Sequence, residues 1–366
     1  MDPNDPIARR FPLVARPRPA CLPLAERVHG LLDLSETAVQ QADPVRASAV
    51  YNQSALIASD LGLPALAREL CHQHAHAYLW ACPLPGQSAI RALEPVVNLA
   101  RLHARAGKGD TARQYLHTLY EAVTTGTAVQ LDSITVPAHL TATTEDRRQV
   151  RTWLWTVLLA DGTRALTSQG RWNEALTHIE SHRGVGQRLL DGRQVAVLAA
   201  LTAGRTAEAV GLLHDSAPGE PWEQAVAVCL TAVCRRGSGL PADRPTSVLS
   251  DMYERLEPEP GTAVFNTRLG LTILDITGNA DAHRARCLVG HLHRRATALN
   301  DGYAARENLT HPMFTALATD VQQKQCRDLV IACALGAGTI PDELFAQLTV
   351  ALRRSDHTIR EAEQAR

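Results

Sequence analysis

Aromatic residues and lysine are scarce in this sequence. Only 4% of the 366 residues are Phe, Trp or Tyr, and the two lysines are Lys108 and Lys324. Alanine, in contrast, occurs 56 times. Aromatic and β-branched residues suit strands, whereas alanine and leucine are strong helix formers. The composition therefore disfavours a β-sheet protein and predicts an all-α one.

Strong net charge, long apolar runs and paired cysteines are also missing. The formal net charge is −1, so the chain has no overall field that would attract nucleic acid or an anionic membrane. No uncharged apolar run approaches the roughly 18 residues of a membrane span, and the first residues lack the apolar region of a signal peptide. The eight cysteines include no CxxC pair. We therefore expect a cytoplasmic protein with no direct nucleic-acid or membrane partner.

What the sequence does contain is a recurring pattern of helix, short break and helix. The predicted helix pairs are 43–61 with 64–81, 91–106 with 110–123, 150–169 with 172–182, and 191–203 with 206–214. Further helices are predicted at about 221–236, 246–257, 262–277, 280–299, 313–335 and 341–363.

The regions around these helices suggest three divisions of the chain. Residues 1–23 hold six prolines and are predicted to form a disordered, arginine-rich arm, because proline cannot donate to a helix ladder. Residues 24–216 are expected to contain the well-formed hairpins, and residues 217–366 degenerate hairpins that continue the same array. The threonine-rich loop at 124–145 is the best candidate for a functional insertion or a mobile lid.

A glycine marks each predicted hairpin turn and is followed five residues later by an alanine. The four pairs are Gly62 and Ala67, Gly107 and Ala112, Gly170 and Ala175, and Gly204 and Ala209. Their number is close to what chance gives for 23 glycines and 56 alanines. Their placement is more informative, because every glycine falls at a predicted break and the last two are 34 residues apart.

This pattern resembles the tetratricopeptide repeat, whose 34-residue units have small residues where two helices meet and a glycine at the turn. The resemblance implies a right-handed superhelical array of antiparallel helix hairpins, an α-solenoid whose first helices line a concave groove. Divergent arrays of this composition also resemble the sensor regions of actinobacterial regulators. Those regions usually follow a helix-turn-helix domain, for which the stretch 24–41 is too short.

The resemblance also implies which side chains would line the groove. The groove-facing positions transferred to the matching hairpins are Asn52, Gln53, Asn98, Arg101, Arg105, Asp161, Arg164 and Gln194. Three of them, Asn98, Arg101 and Arg105, share one helix face by their i, i+3, i+7 spacing. Asparagine can bond a peptide backbone, and the guanidinium fork suits a carboxylate or a phosphate. Alternatively, the arginines only pair with acidic residues on a neighbouring helix.

Metal-ligand residue types are densest at 71–76. His72 and His76 have the i, i+4 spacing of helical zinc sites, but the hairpin register turns Cys71 and His74 inward and no third ligand is evident. Walker-type loops and the G-x-S-x-G motif are absent from the sequence. We therefore assign no metal, cofactor or catalytic residue.

Three functions from different classes remain open at this point. The leading expectation is a non-catalytic adaptor or ligand sensor that binds an acidic or carboxylate-terminated peptide or protein segment in the groove, in a regulatory role. The second is an accessory or unusual enzyme of natural-product metabolism, acting on a small anionic substrate at the same arginines with His72, His76 and His103. The third is a scaffold that forms homo-oligomers. An open groove, a closed pocket and a large apolar patch would distinguish them.

Overall fold

The computed structural model describes residues 1–237, 243–256, 261–278 and 282–366, with the backbone alone for 243–247. Within these ranges the chain is all-α, as the composition predicts, apart from one antiparallel β-hairpin. The helices are α1 (Pro6–Arg10), α2 (Leu24–Gln41), α3 (Pro44–Asp60), α4 (Pro64–Leu79), α5 (Gly86–Arg105), α6 (Gly109–Thr125), α7 (Thr144–Thr167), α8 (Trp172–Ser181), α9 (Asp191–Thr202), α10 (Thr206–His214), α11 (Pro221–Gly237), α12 (Asp243–Arg255), α13 (Ala263–Thr277), α14 (Ala282–Ala298), α15 (Gly302–Leu309), α16 (Pro312–Leu317), α17 (Asp320–Ala332) and α18 (Asp342–Gln364). The strands are β1 (Val129–Leu131) and β2 (Ile134–Val136). None of the helices in the described ranges combines the length and apolar character that crossing a bilayer requires.

The chain divides into two compact units, and each contains a segment from one end of the sequence. Unit 1 comprises Met1–Pro23 and Leu166–Cys333, and unit 2 comprises Leu24–Ala165 and Ala334–Arg366. The predicted boundaries at 24–216 and 217–366 are therefore wrong. In a repeat array each repeat contacts its sequence neighbours. Helix α18 packs instead on α2, α3 and α4, so it does not continue the series.

The four predicted turn glycines share one local geometry. The φ angles of Gly62, Gly107, Gly170 and Gly204 are 80°, 77°, 72° and 77°, in the left-handed region that favours glycine. The residue after each glycine donates its N–H to a carbonyl five residues earlier, over 2.9, 3.0, 3.1 and 2.8 Å respectively. This is the Schellman ending of a helix. The alanines five residues after the glycines are all buried.

Unit 2 is built around close-packed small residues and two apolar clusters. The smaller cluster joins α2, α3 and α18 through Leu24, Val28, Leu31, Val50, Ile57, Leu61, Leu348 and Ala351. The larger one contains the buried alanines of α3, α4 and α5, including Ala55 and Ala100. Alanine has almost no side-chain bulk, so the backbones of these helices can approach each other.

The loop at 124–145 is anchored to the core of unit 2. Its centre is the β1–β2 hairpin, in which Leu131 pairs with Ile134 across a tight turn. Four of its apolar side chains, Leu131, Ile134, Val136 and Leu140, belong to the larger core cluster. Leu84 and Leu140 are joined by a backbone hydrogen bond of 2.8 Å. The hairpin could have been read from the alternation of Val129, Leu131, Ile134 and Val136, which has the period of a strand.

The prediction of a disordered arm at residues 1–23 is wrong. The segment begins with helix α1, which Asp5 caps by accepting the Ile7 N–H over 2.8 Å. Its apolar residues Ile7, Ala8, Phe11, Leu13 and Cys21 are buried in unit 1. Proline prevents a long helix here, but burial of these side chains still orders the chain.

Two further boundaries were wrong. The predicted loop at 300–312 contains α15, which Asp301 caps through the Ala304 N–H over 3.0 Å. The predicted single helix at 313–335 is two helices, α16 and α17, and Thr319 and Gln322 form a capping box where the second begins. The T-x-x-Q pattern in the sequence predicts a helix N-terminus at this position. Most of the predicted loop at 237–245 lies outside the described residues.

Candidate functional site

Polar side chains connect α3, α5 and the part of α7 that belongs to unit 2. Asn52 on α3 donates to Glu94 on α5 over 2.7 Å, and Asn98 on α5 donates to Asn52 over 3.0 Å. Arg101, one turn further along α5, donates to Asn98 over 3.0 Å and to Asp161 on α7 over 2.8 Å. The sequence-predicted residues on α3, α5 and α7 are therefore brought together.

A second group lies one turn beyond Arg101 on the same face of α5. Arg105 donates through Nη1 to Ser59 over 2.7 Å and to Asp60 over 3.2 Å, both at the end of α3. Asp60 also accepts from Arg27 of α2 over 2.9 Å. We call the two groups together the polar ladder. It consists of Arg27, Asn52, Ser59, Asp60, Glu94, Asn98, Arg101, Arg105, Asp161 and Arg164.

Each aspartate of the polar ladder is shared by two arginines. Asp161 lies 2.8 Å from Arg101 and 3.6 Å from Arg164, and Asp60 lies between Arg27 and Arg105. The aspartate side chains are 14% and 4% exposed, whereas those of Arg101 and Arg105 are 50% and 47% exposed. Solvent therefore reaches these two guanidinium groups more than it reaches the carboxylates that they contact.

Arg105 keeps part of its guanidinium available. Both of its observed hydrogen bonds leave from Nη1. Its Nε and Nη2 atoms make no hydrogen bond to any residue that the structure describes, and together they carry three N–H groups. That edge of the guanidinium has the geometry that receives a carboxylate or phosphate through two parallel hydrogen bonds.

Glu94 lies at the Asn52 end of the polar ladder. Burial raises the pKa of the Glu94 carboxyl above its ordinary value, while the hydrogen bond from Asn52 and the charges of Arg91 and Arg101 oppose that rise. The Glu94 carboxyl accepts the amide N–H of Asn52 and so orients that side chain.

Two predicted groove residues do not belong to this arrangement. Gln53 is half-buried on α3 and makes no side-chain hydrogen bond within the described ranges. The prediction for Gln194 is wrong, because its side chain is fully buried in unit 1. There it accepts the Leu13 N–H over 2.7 Å and donates to the carbonyls of Leu13 and Leu189 over 2.7 and 2.8 Å. Residues 1–23 cover the position that the repeat pattern places in the groove.

The residues of the metal-ligand-rich stretch at 71–76 differ in burial. Cys71 and His74 are buried and His76 is exposed, as the hairpin register predicts. Among the described residues no group of three or more His, Cys, Asp or Glu side chains could hold a metal ion. His103 faces the β-hairpin, with its Nε2 atom 4.0 Å from Asp132, and burial lowers the pKa of His103 below its ordinary value.

No residue of the polar ladder lines either of two surface cavities in the described parts of the chain. One in unit 1 is lined by residues of α8, α9 and α10, including Glu180, Ala196 and Glu208. Another in unit 2 lies between α6 and β1, where His117, Tyr120 and Val129 contribute to it. Neither brings together the arginines and histidines that the enzyme hypothesis requires.

Sequence reasoning missed four members of the polar ladder: Arg27, Ser59, Asp60 and Glu94. Two of them could have been predicted by extending the helical spacing of the residues already chosen. Glu94 precedes Asn98 by four residues, and Ser59 follows Asn52 by seven, so each continues a stripe already identified. Arg27 lies on α2, outside the hairpins, and no sequence signal connects it to Asp60.

Comparison with known proteins does not assign this chain to a family. Searches against protein-family models, curated proteins and solved structures found no significant match to this chain.

Proposed function

We propose that the chain is a non-catalytic adaptor or ligand sensor that binds an acidic or carboxylate-terminated peptide or protein segment at the polar ladder. In this proposal the hairpins form a tetratricopeptide-like solenoid, and α3, α5 and α7 are its groove-lining first helices. A regulatory role in the cytoplasm, like that of the actinobacterial sensor regions that the sequence resembles, is part of the same proposal.

The observation that carries the proposal is the exposure of two arginines, Arg101 and Arg105, at a connected polar face. Two aspartates share four arginines, and Arg105 still has an unbonded guanidinium edge among the described residues. Arg101 and Arg105 are about half exposed, so a ligand can reach them from solvent. Asn52 and Asn98 lie beside them, and their amide groups can bond a peptide backbone.

The pairing of both arginines with aspartates lowers the affinity that we expect for an acidic ligand. A ligand carboxylate must compete with Asp60 and Asp161, so it gains less than it would from an unpaired arginine. We therefore expect micromolar rather than nanomolar binding, roughly 8 kcal/mol of binding free energy.

The test is isothermal titration with peptides that end in two acidic residues and a free carboxylate, with C-terminally amidated copies alongside. We expect Arg105→Ala to weaken binding about tenfold or more, because a charged hydrogen-bonded pair is lost. The double variant Arg101→Ala/Arg105→Ala should show no measurable binding. Raising the salt concentration should weaken the wild-type interaction.

Arg46→Ala is the matched control. Arg46 is also on unit 2, is 41% exposed and pairs with an aspartate, Asp43, at 2.7 Å, but it is not part of the polar ladder. Its removal should leave the affinity unchanged. Equal affinity of wild type and the double variant, or equal weakening by Arg46→Ala, would remove the polar ladder as the binding site.

A further inference from the structure

Residues 10–18 lie on unit 1 in the manner of a bound peptide. Residues 12–23, all of them described, belong to no helix or strand. Phe11 and Leu13 are each 2% exposed, so two apolar side chains two residues apart are inserted into unit 1.

Gln194 recognises the backbone of this segment. Its amide oxygen accepts the Leu13 N–H over 2.7 Å, and its amide nitrogen donates to the Leu13 carbonyl over 2.7 Å. One side chain thus satisfies both backbone groups of one residue. The same pair of bonds can form with any extended segment placed there, because it uses only main-chain atoms.

Charged side chains fix the direction and register of the segment. Arg10 donates to Asp275 over 2.6 Å, and Arg16 donates to Asp191 over 2.5 Å. Further along, the Arg18 N–H donates to the Gly261 carbonyl over 3.0 Å. Positive residues on the segment therefore meet negative residues on unit 1 at two separate points.

We propose that this face of unit 1 is a peptide-recognition surface and that residues 10–16 are its resident occupant. The pattern it fits is Arg-Phe-x-Leu-x-x-Arg, with the Leu backbone held by Gln194. A partner protein that carries such a basic, aromatic segment binds here when the resident segment leaves. This surface is independent of the polar ladder and of the function proposed for it.

The first experiment uses the full chain and a fluorescent synthetic peptide with the sequence of residues 1–18. The wild-type chain should bind it weakly, because the tethered resident segment competes with it. The effective concentration of a tethered segment is roughly millimolar. The chain with Phe11→Ala/Leu13→Ala keeps the surface but weakens its occupant. Fluorescence anisotropy should then show at least about tenfold tighter peptide binding. A peptide carrying the same two substitutions should not bind.

A second set of variants changes only a partly exposed ion pair and so spares the apolar packing. The side chains of Arg16 and Asp191 are 43% and 16% exposed. The full chain with Arg16→Asp should bind the peptide more tightly than wild type. Adding Asp191→Arg recreates the pair with reversed charges and reseats the resident segment. It also places an arginine against Arg16 of the peptide, so peptide affinity should fall to the wild-type level or below.

Circular dichroism measures the helix content of each variant, and only variants with wild-type helix content are compared. The proposal is overturned when such folded chains, with either the Phe11/Leu13 or the Arg16 substitutions, bind the peptide no better than wild type. Tighter binding by the Arg16→Asp chain that persists after Asp191→Arg is added would also overturn it, because the effect would then not come from this contact.

Discussion

Polar side chains on the first helix of a hairpin are exposed in unit 2 and buried in unit 1. In unit 2, Arg101 and Arg105 of α5 are about half exposed, and each pairs with an aspartate whose side chain is much less exposed. In unit 1 the matching position, Gln194 of α9, is fully buried beneath residues 10–18 and makes three hydrogen bonds to backbone groups. The hairpin turns at Gly107 and Gly204 have the same conformation, so the difference does not arise in the hairpins.

The difference comes from the segment that packs on each hairpin. Unit 1 includes residues 1–23, and unit 2 includes residues 334–366. The first covers the polar face of α9, whereas α18 packs on α2, α3 and α4 and leaves Arg101 and Arg105 in contact with solvent. A polar residue on the first helix of a hairpin can therefore be exposed in one hairpin and buried in another.

The largest expected effect is that of Gln194→Ala. It removes partners from the Leu13 N–H and from two carbonyls in a buried environment. We expect the free energy of unfolding to fall by about 3 kcal/mol. Urea denaturation measures this, and Gln53→Ala is the control, with a change within about 0.5 kcal/mol. Similar effects of the two substitutions would contradict the contrast between the units.

Buried histidines provide a second contrast. His311 in unit 1 accepts the Phe314 N–H over 3.3 Å through Nδ1, and its Nε2 is 3.2 Å from Asp275. His74 in unit 2 stacks on Tyr51 at 5.0 Å, and neither of its nitrogens has a hydrogen-bond partner among the described residues. Burial lowers the pKa of His74 to about 3. The uncharged form of His74 is thus strongly preferred in the folded chain.

We predict that this preference makes the protein acid-labile. Below pH 6.5 the unfolded chain binds a proton at His74 that the folded chain does not, so stability falls as the pH decreases from 6.5 towards 3. The contribution is about 1.4 kcal/mol per pH unit, or roughly 2 kcal/mol at pH 5. His74→Phe should remove it. Urea denaturation of wild type and variant at pH 7 and pH 5 measures the effect, and parallel losses in both would assign the acid lability to other groups.

The turn glycines should give equal effects in the two units. Gly107 and Gly204 both have φ of 77°, and a Cβ atom at either position would meet no atom within 4 Å. Gly107→Ala and Gly204→Ala should therefore each cost only the left-handed backbone strain, about 1–2 kcal/mol. Gly30, inside α2 and also free of neighbours, is the control. Gly30→Ala should stabilise by up to about 1 kcal/mol.

The smallest expected change in stability is that of Arg101→Ala/Arg105→Ala. Both guanidinium groups are about half exposed, and Asp60 retains its contact with Arg27. Exposed ion pairs contribute little, so the unfolding free energy should fall by less than about 1 kcal/mol. Loss of peptide binding at unchanged stability would separate the polar ladder from the structural role of Gln194. A loss of 3 kcal/mol or more, roughly the value for a buried pair, would assign these arginines to stability.

Local sequence patterns predicted the features that depend on near neighbours. The helix breaks at Gly62, Gly107, Gly170 and Gly204 follow from the left-handed conformation that glycine tolerates, and their positions are confirmed. The common face of Asn98, Arg101 and Arg105 follows from helical periodicity. Gln194 was misassigned by the same reasoning, because the residues that cover it are about 180 positions away in the sequence.

The sequence by itself determined that the chain is helical, that it turns at these glycines and which polar residues lie on one face of each first helix. Backbone conformation and helical period decide those properties within a few residues. Only the tertiary structure decided that Asp60 joins Arg27 to Arg105, that α18 packs on α2 and α3, and that residues 10–18 occupy unit 1. These contacts join segments that are distant in the sequence. Apolar periodicity can show which face of a helix is buried, but it does not show which distant segment covers that face.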